Sequence, residues 1–264
     1  MPRKKKPRKA ARSRGKGTHV ILSEEEAVEL LSAHTNLSSP EETKVYETPC
    51  GTYRINDSAG ELNIKSNILK GKLAELAAGD VIKSDMDVII EFEKLKVRHP
   101  KEPYLYRTVA SSYKTIDQEK YRAELRKNYE LFPDYPRIAM TYGAMFGHEL
   151  STEEKRAVVG FDTDLHNRFP KYKFFDMETV VNFLSVHNYL ALEAKDFEQA
   201  EKCALSVAAV EPRTGKMMLT NVKMKSDPAF KRKFFVQSAF LILFILGIAV
   251  AIIYGIVRFF QWIF

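Results

Sequence analysis

An uninterrupted apolar stretch near the C terminus places the strongest constraint on how this chain folds. Residues 234–257 run for 24 positions without a charged side chain. As a helix this segment would be about 36 Å long, because each residue adds about 1.5 Å, and the hydrocarbon core of a bilayer is about 30 Å thick. The sequence therefore predicts a single transmembrane helix at residues 234–257. A helix buried in a large core is the alternative, but no second segment of comparable hydrophobicity is present to cover it.

The charges that flank this stretch predict its orientation. Basic side chains precede it at Lys216, Lys223, Lys225, Lys231, Arg232 and Lys233, and Arg258 is the one basic residue that follows it. By the positive-inside rule, everything upstream is expected to be cytoplasmic. Residues 216–233 are then a basic juxtamembrane linker, and residues 258–264 are a short tail on the far side.

The N terminus carries no apolar stretch that would serve as a secretory signal. The arrangement resembles that of tail-anchored membrane proteins. The expected localisation is an integral, single-pass protein with a cytoplasmic N terminus, in either a bacterial inner membrane or a eukaryotic organelle membrane.

The positive net charge of the chain, +7, belongs to its first 17 residues. This tail contains no acidic residue and nine basic ones, Arg3, Lys4, Lys5, Lys6, Arg8, Lys9, Arg12, Arg14 and Lys16. The rest of the chain holds 32 basic and 34 acidic side chains. Because residues 1–17 have almost no apolar surface to bury, we expect them to be disordered. Anionic lipid, RNA phosphates, nuclear import and no dedicated partner remain open as readings of the tail.

A repeated proline spacing organises the middle of the chain. Pro100, Pro133, Pro170 and Pro212 are separated by 33, 37 and 42 residues. Positions twelve, eight and five residues before each proline are apolar, apart from Asn128 and Asp162. Since proline does not continue a helix, each one is expected to follow the end of an amphipathic helix.

Further apolar helices are predicted before the last three prolines, at residues 104–113, 136–146 and 177–192. Helix pairs that recur about every 34 residues, each with an uncovered apolar face, indicate a helical solenoid. We therefore predict a mainly α fold, with a solenoid of helical hairpins at residues 84–215.

The last of these units resembles the tetratricopeptide repeat. Residues 195–200 read KDFEQA, which is similar to the turn and second-helix opening of that repeat, and Pro212 stands where its terminal proline would. The resemblance implies a scaffold for protein interactions whose first helices line a groove. It places these residues in the groove: Tyr106, Ala110, Tyr113, Met140, Ala144, Asn182, Ser185 and Tyr189. Of these, Tyr106, Tyr113, Met140, Asn182, Ser185 and Tyr189 are the predicted partner-binding residues, with packing between repeats as the alternative.

Residues 18–83 are expected to form a helical or mixed capping region. Ser23 and Glu26 have the spacing of a capping box, residues 44–56 suit a small hairpin, and apolar residues from Leu62 to Leu76 share a helical face that ends near Gly79. Cys50 and Cys203 are the only cysteines, too few for a disulfide framework or a thiolate metal site, and they fit a reducing cytosol.

Neither a phosphate-binding loop nor a dinucleotide, nucleophile or zinc motif occurs in the sequence, so we expect a non-enzyme without metal or cofactor. Asp162 and His166 have one-turn helical spacing, but a solvated surface is the more usual meaning of such a pair. In the apolar stretch, Gly247, Ala251 and Gly255 lie on one helical face, which favours helix association in a membrane.

These features predict a membrane-anchored, cytoplasm-facing helical-repeat adaptor that binds a protein partner through its repeats. Two alternatives remain open. One is a nucleic-acid or ribosome tether that acts through the basic tail, and the other is a structural subunit of a larger membrane complex. Binding through the tail would weaken steeply with salt, whereas binding through a groove would not.

Overall fold

A two-stranded hairpin opens the part of the chain that the structure describes. The computed structural model describes residues 43–64, 66–78, 82 and 84–263. Strands β1 (Lys44–Thr48) and β2 (Gly51–Ile55) pair antiparallel, with Lys44 opposite Ile55 and Thr48 opposite Gly51. Gly51 has a backbone φ angle of +138°, which residues with a Cβ atom rarely adopt. The hairpin predicted at residues 44–56 is confirmed.

The remainder of the described chain is mainly helical, as predicted. The helices, numbered among the described residues, are α1 (Ala59–Leu62), α2 (Asn67–Ala78), α3 (Asp85–Arg98), α4 (Pro103–Ile116), α5 (Gln118–Leu131), α6 (Pro136–Phe146), α7 (Thr152–Val159), α8 (Leu165–Arg168), α9 (Met177–Glu193), α10 (Phe197–Val210), α11 (Pro212–Ser226) and α12 (Pro228–Ile263).

The proline spacing marks the ends of four helices. Helices α3, α5, α8 and α10 each end two residues before one of the four repeated prolines. The helices predicted in front of the last three prolines are α4, α6 and α9, and α6 has the predicted bounds. Side-chain caps fix several starts. One is at α5, where Asp117 Oδ1 accepts a hydrogen bond from the Lys120 amide at 3.0 Å.

Most consecutive helices pack against each other and bury two main apolar clusters. The first joins α2, α3, α4, α5 and the end of α6, with Leu105 and Val109 completely buried. The second joins α6 to α10 and includes Phe183 and Leu184 of α9. Short loops between helices that bury one face each produce helical hairpins.

The hairpin packs into the second cluster, whose other residues come from helices and loops much later in the chain. Tyr53 and Ile55 are buried there beside Phe175. Phe175 also extends the strand pairing, because its amide donates to Arg54 O at 3.1 Å and its carbonyl accepts from the Asn56 amide at 2.9 Å. The hairpin thus packs on the later helices.

The helix pair that ends before Pro170 is irregular at the place where Asp162 interrupts the apolar pattern. Its second helix is divided into α7 and α8 by residues 160–164, and Gly160 has φ +88°. Asp162 is exposed, whereas Asn128, the other exception, is completely buried. The apolar positions Val158 and Leu165 still reach the core from either side of the break.

The predicted transmembrane helix is contradicted by the structure. Among the described residues, no helix is both long and apolar enough to cross a membrane. Residues 234–257 lie within α12, whose first turns carry Lys231, Arg232 and Lys233. The prediction of an integral, single-pass localisation depended on this transmembrane helix and is contradicted by the same finding.

Candidate functional site

The candidate binding site is a cleft between α6 and α9. These are the first helices of the two pairs that end before Pro170 and Pro212. The volume of the cleft is about 250 Å³. The residues that line it are Gly143, Ala144, Gly147 and His148 on the α6 side, and Ser185, Val186 and Tyr189 on α9. We call this the α6–α9 cleft.

The cleft is open because α6 presents little side-chain volume there. Three of its four residues on that side are glycine or alanine. Gly143 is also required for packing, because a Cβ at this position would lie 3.0 Å from Val158 Cγ1 of α7. Small residues therefore bring α7 close to α6 and leave the space in front of α9 unfilled.

Tyr189 forms one wall of the α6–α9 cleft, and Lys155 contacts its ring. The Lys155 ammonium group lies 4.5 Å from the centre of the Tyr189 ring, within the range of a cation–π contact. Lys155 is buried, and its Nζ donates to Glu193 Oε1 at 2.8 Å. A buried charge with a hydrogen-bonded partner keeps a fixed position. The ring of Tyr189, which is 37% exposed, is thereby oriented while one part stays open to solvent.

Charged residues form a fixed rim beyond α6. Glu149 accepts hydrogen bonds from Arg122 and from Arg126, the latter at 2.6 Å. Both guanidinium groups also lie within 5 Å of the centre of the Phe146 ring. Partial desolvation is the largest single influence on the Glu149 carboxyl group and acts to raise its pKa, but the hydrogen bond from Arg122 and the charges of both arginines together lower that pKa. This network fixes the loop that follows α6, where His148 lies at the edge of the α6–α9 cleft.

Two of the six predicted partner-binding residues, Ser185 and Tyr189, line the α6–α9 cleft together with Ala144. Ser185 Oγ donates to Val181 O at 2.7 Å, so its hydroxyl proton is used within α9. Asn182 is half-buried on the same helix and is not part of the cleft lining.

The other three lie in packed surroundings. Tyr106 contacts Phe132 with ring centres 4.9 Å apart, and its hydroxyl donates to Pro100 O at 3.1 Å. Tyr113 is buried, with Lys120 over its ring, and Met140 has no exposed surface. Met140 therefore reaches no partner while α6 stays folded on its neighbours.

Sequence reasoning missed Gly143, Gly147, His148 and Val186 as lining residues. Gly143 and Gly147 carry a readable signal, because two glycines four residues apart leave one helical face bare. The roles of Val186 and His148 depend on contacts between distant segments and have no local signal.

Asp162 and His166 lie on either side of Asp164, the residue that caps the N terminus of α8. Asp162 Oδ1 accepts from the Asp164 amide at 2.9 Å, and Asp164 Oδ1 accepts from the His166 amide at 2.8 Å. No group of three or more metal-ligating side chains occurs within the described ranges.

Three sets of predicted residues lie outside the described residues. The nine basic residues at positions 3–16 are one, Ser23 and Glu26 of the predicted capping box are another, and the helical face of Gly247, Ala251 and Gly255 is the third. The polyanion-binding and helix-association predictions stay predictions.

Comparison with known proteins adds no identification. No family model matches this chain, and neither the curated proteins nor the solved structures contain a match. The resemblance to tetratricopeptide repeats therefore rests on the residues themselves.

Proposed function

We propose that this chain is a helical-repeat scaffold that binds a protein partner through the α6–α9 cleft. The observation that carries the proposal is an exposed tyrosine, contacted by the buried ammonium group of Lys155, beside the part of α6 that presents only glycine and alanine. Rigid aromatic rings next to an unfilled space are typical of sites where a partner inserts a side chain, since little side-chain entropy is lost on binding.

The chemistry of the cleft favours an extended segment that offers one aliphatic or aromatic side chain. Gly143, Ala144 and Val186 provide an apolar surface for that side chain, and Tyr189 provides a ring to contact it. His148, on the rim, is exposed, and its Nε2 lies 3.4 Å from Glu149 Oε1. A cleft of about 250 Å³ is the right size for one large side chain, and not for a whole helix.

The tetratricopeptide-like solenoid is part of this proposal. Support for it comes from the helix bounds at the four prolines and from the successive packing of α3 to α6 and of α9 to α11. In such an arrangement the first helices of neighbouring pairs, here α6 and α9, lie side by side and form a shared surface.

A displayed library of random peptides, selected against the purified full-length chain, tests the proposal. Peptides enriched in selection are synthesised, and their dissociation constants are measured for the wild type and for Ala144→Glu. This substitution puts a charged side chain into the cleft at an exposed helical position. We expect a loss of affinity of at least about tenfold, which corresponds to about 1.4 kcal/mol.

Ala123→Glu is the matched control, because Ala123 is also an exposed alanine within a helix, on α5, and does not line the cleft. This variant is expected to bind selected peptides as the wild type does. Equal affinity for Ala144→Glu and Ala123→Glu, or a selection that enriches no peptide, would count against the α6–α9 cleft as a binding site.

A further inference from the structure

The two cysteines of the chain meet in the folded protein, although 153 residues separate them in sequence. Cys50 lies in the turn between β1 and β2, and Cys203 lies in α10. Their sulfur atoms are 3.7 Å apart, close enough for one thiol to hydrogen-bond to the other. Both are reduced in this structure.

The turn that carries Cys50 is fixed to two distant segments. The Cys50 amide donates to Ser206 Oγ of α10 at 3.0 Å, and its carbonyl accepts from Thr163 Oγ1 at 3.0 Å. Tyr53, in the following strand, donates from its hydroxyl to Thr163 O at 2.7 Å. Because these contacts hold the hairpin to α10 and to the segment between α7 and α8, the short distance between the sulfur atoms is a property of the fold.

The two thiols differ in access to solvent. Cys50 is partly exposed, whereas Cys203 is completely buried. A small oxidant therefore reaches Cys50 first, and Cys203 is positioned behind it.

The surroundings of Cys50 favour its thiolate. The hydrogen bond with Cys203 is the main reason why the pKa of Cys50 falls to about 7, with further lowering by Ser206, Thr163 and the nearby Lys202. The same hydrogen bond and burial raise the pKa of Cys203. Since the thiolate is the reactive form, Cys50 is the nucleophile of the pair and Cys203 is the thiol that resolves its oxidation product.

We propose that Cys50 and Cys203 form a reversible disulfide with a small peroxide as oxidant. The Cys50 thiolate attacks one peroxide oxygen, the O–O bond breaks, and the other oxygen takes up a proton and leaves as water. The Cys203 sulfur then attacks the resulting sulfenic acid, the S–O bond breaks, and the oxygen leaves as a second water with the proton of Cys203. Two thiols lose two electrons in total, and one hydrogen peroxide is reduced to two waters.

The disulfide would fix the hairpin covalently to α10. The sulfur atoms need to approach from 3.7 Å to about 2.0 Å, and the hydrogen bond from the Cys50 amide to Ser206 Oγ already holds the turn against α10. Linking residues so far apart in sequence restricts the unfolded chain, so the oxidised form is expected to unfold at a higher denaturant concentration. A dithiol reductant restores the starting state by thiol–disulfide exchange.

The test exposes the reduced, full-length chain to hydrogen peroxide, alkylates the remaining thiols and determines the intact mass and the peptide map. The expected result is a monomer lighter by two hydrogen atoms, without alkyl groups, in which a linked peptide pair joins Cys50 to Cys203. Dithiothreitol should restore two alkylatable thiols. The reaction rate should rise with pH as Cys50 is deprotonated, with an inflection near pH 7.

Two variants separate the roles of the cysteines. In Cys203→Ala, Cys50 should stop at the sulfenic acid, which dimedone traps. In Cys50→Ser, the buried Cys203 should remain unoxidised. The proposal is wrong if the peroxide-treated wild type keeps both thiols, or if it forms only disulfides between chains. Both outcomes are measured on the wild type, so they do not depend on whether the variants fold.

Discussion

Asn128 shows how one residue departs from the apolar pattern and still belongs to the core. Its side chain is completely buried on α5, and Nδ2 donates to Tyr106 O of α4 at 3.0 Å. Its Oδ1 has no hydrogen-bond partner among the described atoms. A buried amide with one hydrogen bond of this kind links two helices in one register, because sliding either helix would leave the amide unsatisfied.

Replacing Asn128 with Asp tests that contact. The substitution exchanges a donor for a carboxylate that faces the Tyr106 carbonyl in a buried site, so we expect the free energy of unfolding to fall by about 3 kcal/mol or more. Urea denaturation followed by circular dichroism measures it. Asn221→Asp, at an exposed position of α11, is the matched control and should change stability little. A similar loss in both variants would show that the contact with Tyr106 does not stabilise the fold.

His187 makes the stability of the fold depend on pH. It is buried on α9, with its ring 4.6 Å from that of Phe183, and Nε2 has no hydrogen-bond partner among the described atoms. Burial is the main reason why its pKa falls to about 4, although a hydrogen bond with the Val159 backbone acts in the opposite direction. Since the unfolded chain takes up the proton near pH 6.5, at the ordinary pKa of histidine, folding favours the neutral ring.

The sign of the pH effect follows from these two pKa values. Between about pH 6.5 and 4 the unfolded state binds more protons than the folded state, so stability is complete above pH 6.5 and falls as the pH drops. We expect a loss on the order of 3 kcal/mol across this range, measured as the free energy of unfolding in urea at pH 7 and at pH 4.5. His187→Gln should have a smaller dependence on pH. If the variant and the wild type lose the same stability, other groups cause the acid sensitivity.

At the scale of elements, Gly215 controls the approach of α11 to α10. A Cβ at this position would lie 2.2 Å from Ala208 Cα and 2.3 Å from Ala208 N, so the backbones themselves would have to move apart. We expect Gly215→Ala to lower the free energy of unfolding by about 2 kcal/mol or more. Without the clash, alanine in a helix would be more stable than glycine by about 1 kcal/mol.

Gly60→Ala is the matched helical control, because its Cβ would meet Tyr104 at an ordinary contact distance of 3.4 Å. Thermal and urea denaturation of the two variants give the comparison. Equal stability for Gly215→Ala and the wild type would mean that α10 and α11 are not in close contact in solution.

The sequence is informative about elements where the signal is local. Proline ends a helix through its own ring and missing amide proton, so the four repeated prolines located four helix ends. The position of the hairpin was not predictable in the same way. Its contacts are with Phe175, Cys203 and Ser206, more than 100 residues downstream, and an alternating strand pattern does not specify what will cover it.

For the whole molecule, the described residues form a run of packed helices with one cleft in which predicted site residues meet. The resemblance to tetratricopeptide repeats predicted that the first helix of each pair lines a groove, and it placed Ser185 and Tyr189 there. Both residues line that cleft. Tyr106, Tyr113 and Met140 were predicted on the same basis and lie in packed surroundings. Helical spacing identifies the face of a helix, but which part of the face stays uncovered depends on the neighbouring helices.

The most direct test of the scaffold proposal places a photo-crosslinking amino acid at position 144 of the full-length chain in living cells. We expect a discrete adduct with one protein partner from position 144. We expect no such adduct from position 123, and loss of the adduct when Tyr189→Ala is added. An adduct of the same protein from both positions, an adduct that survives Tyr189→Ala, or none at position 144 would contradict partner binding in the α6–α9 cleft.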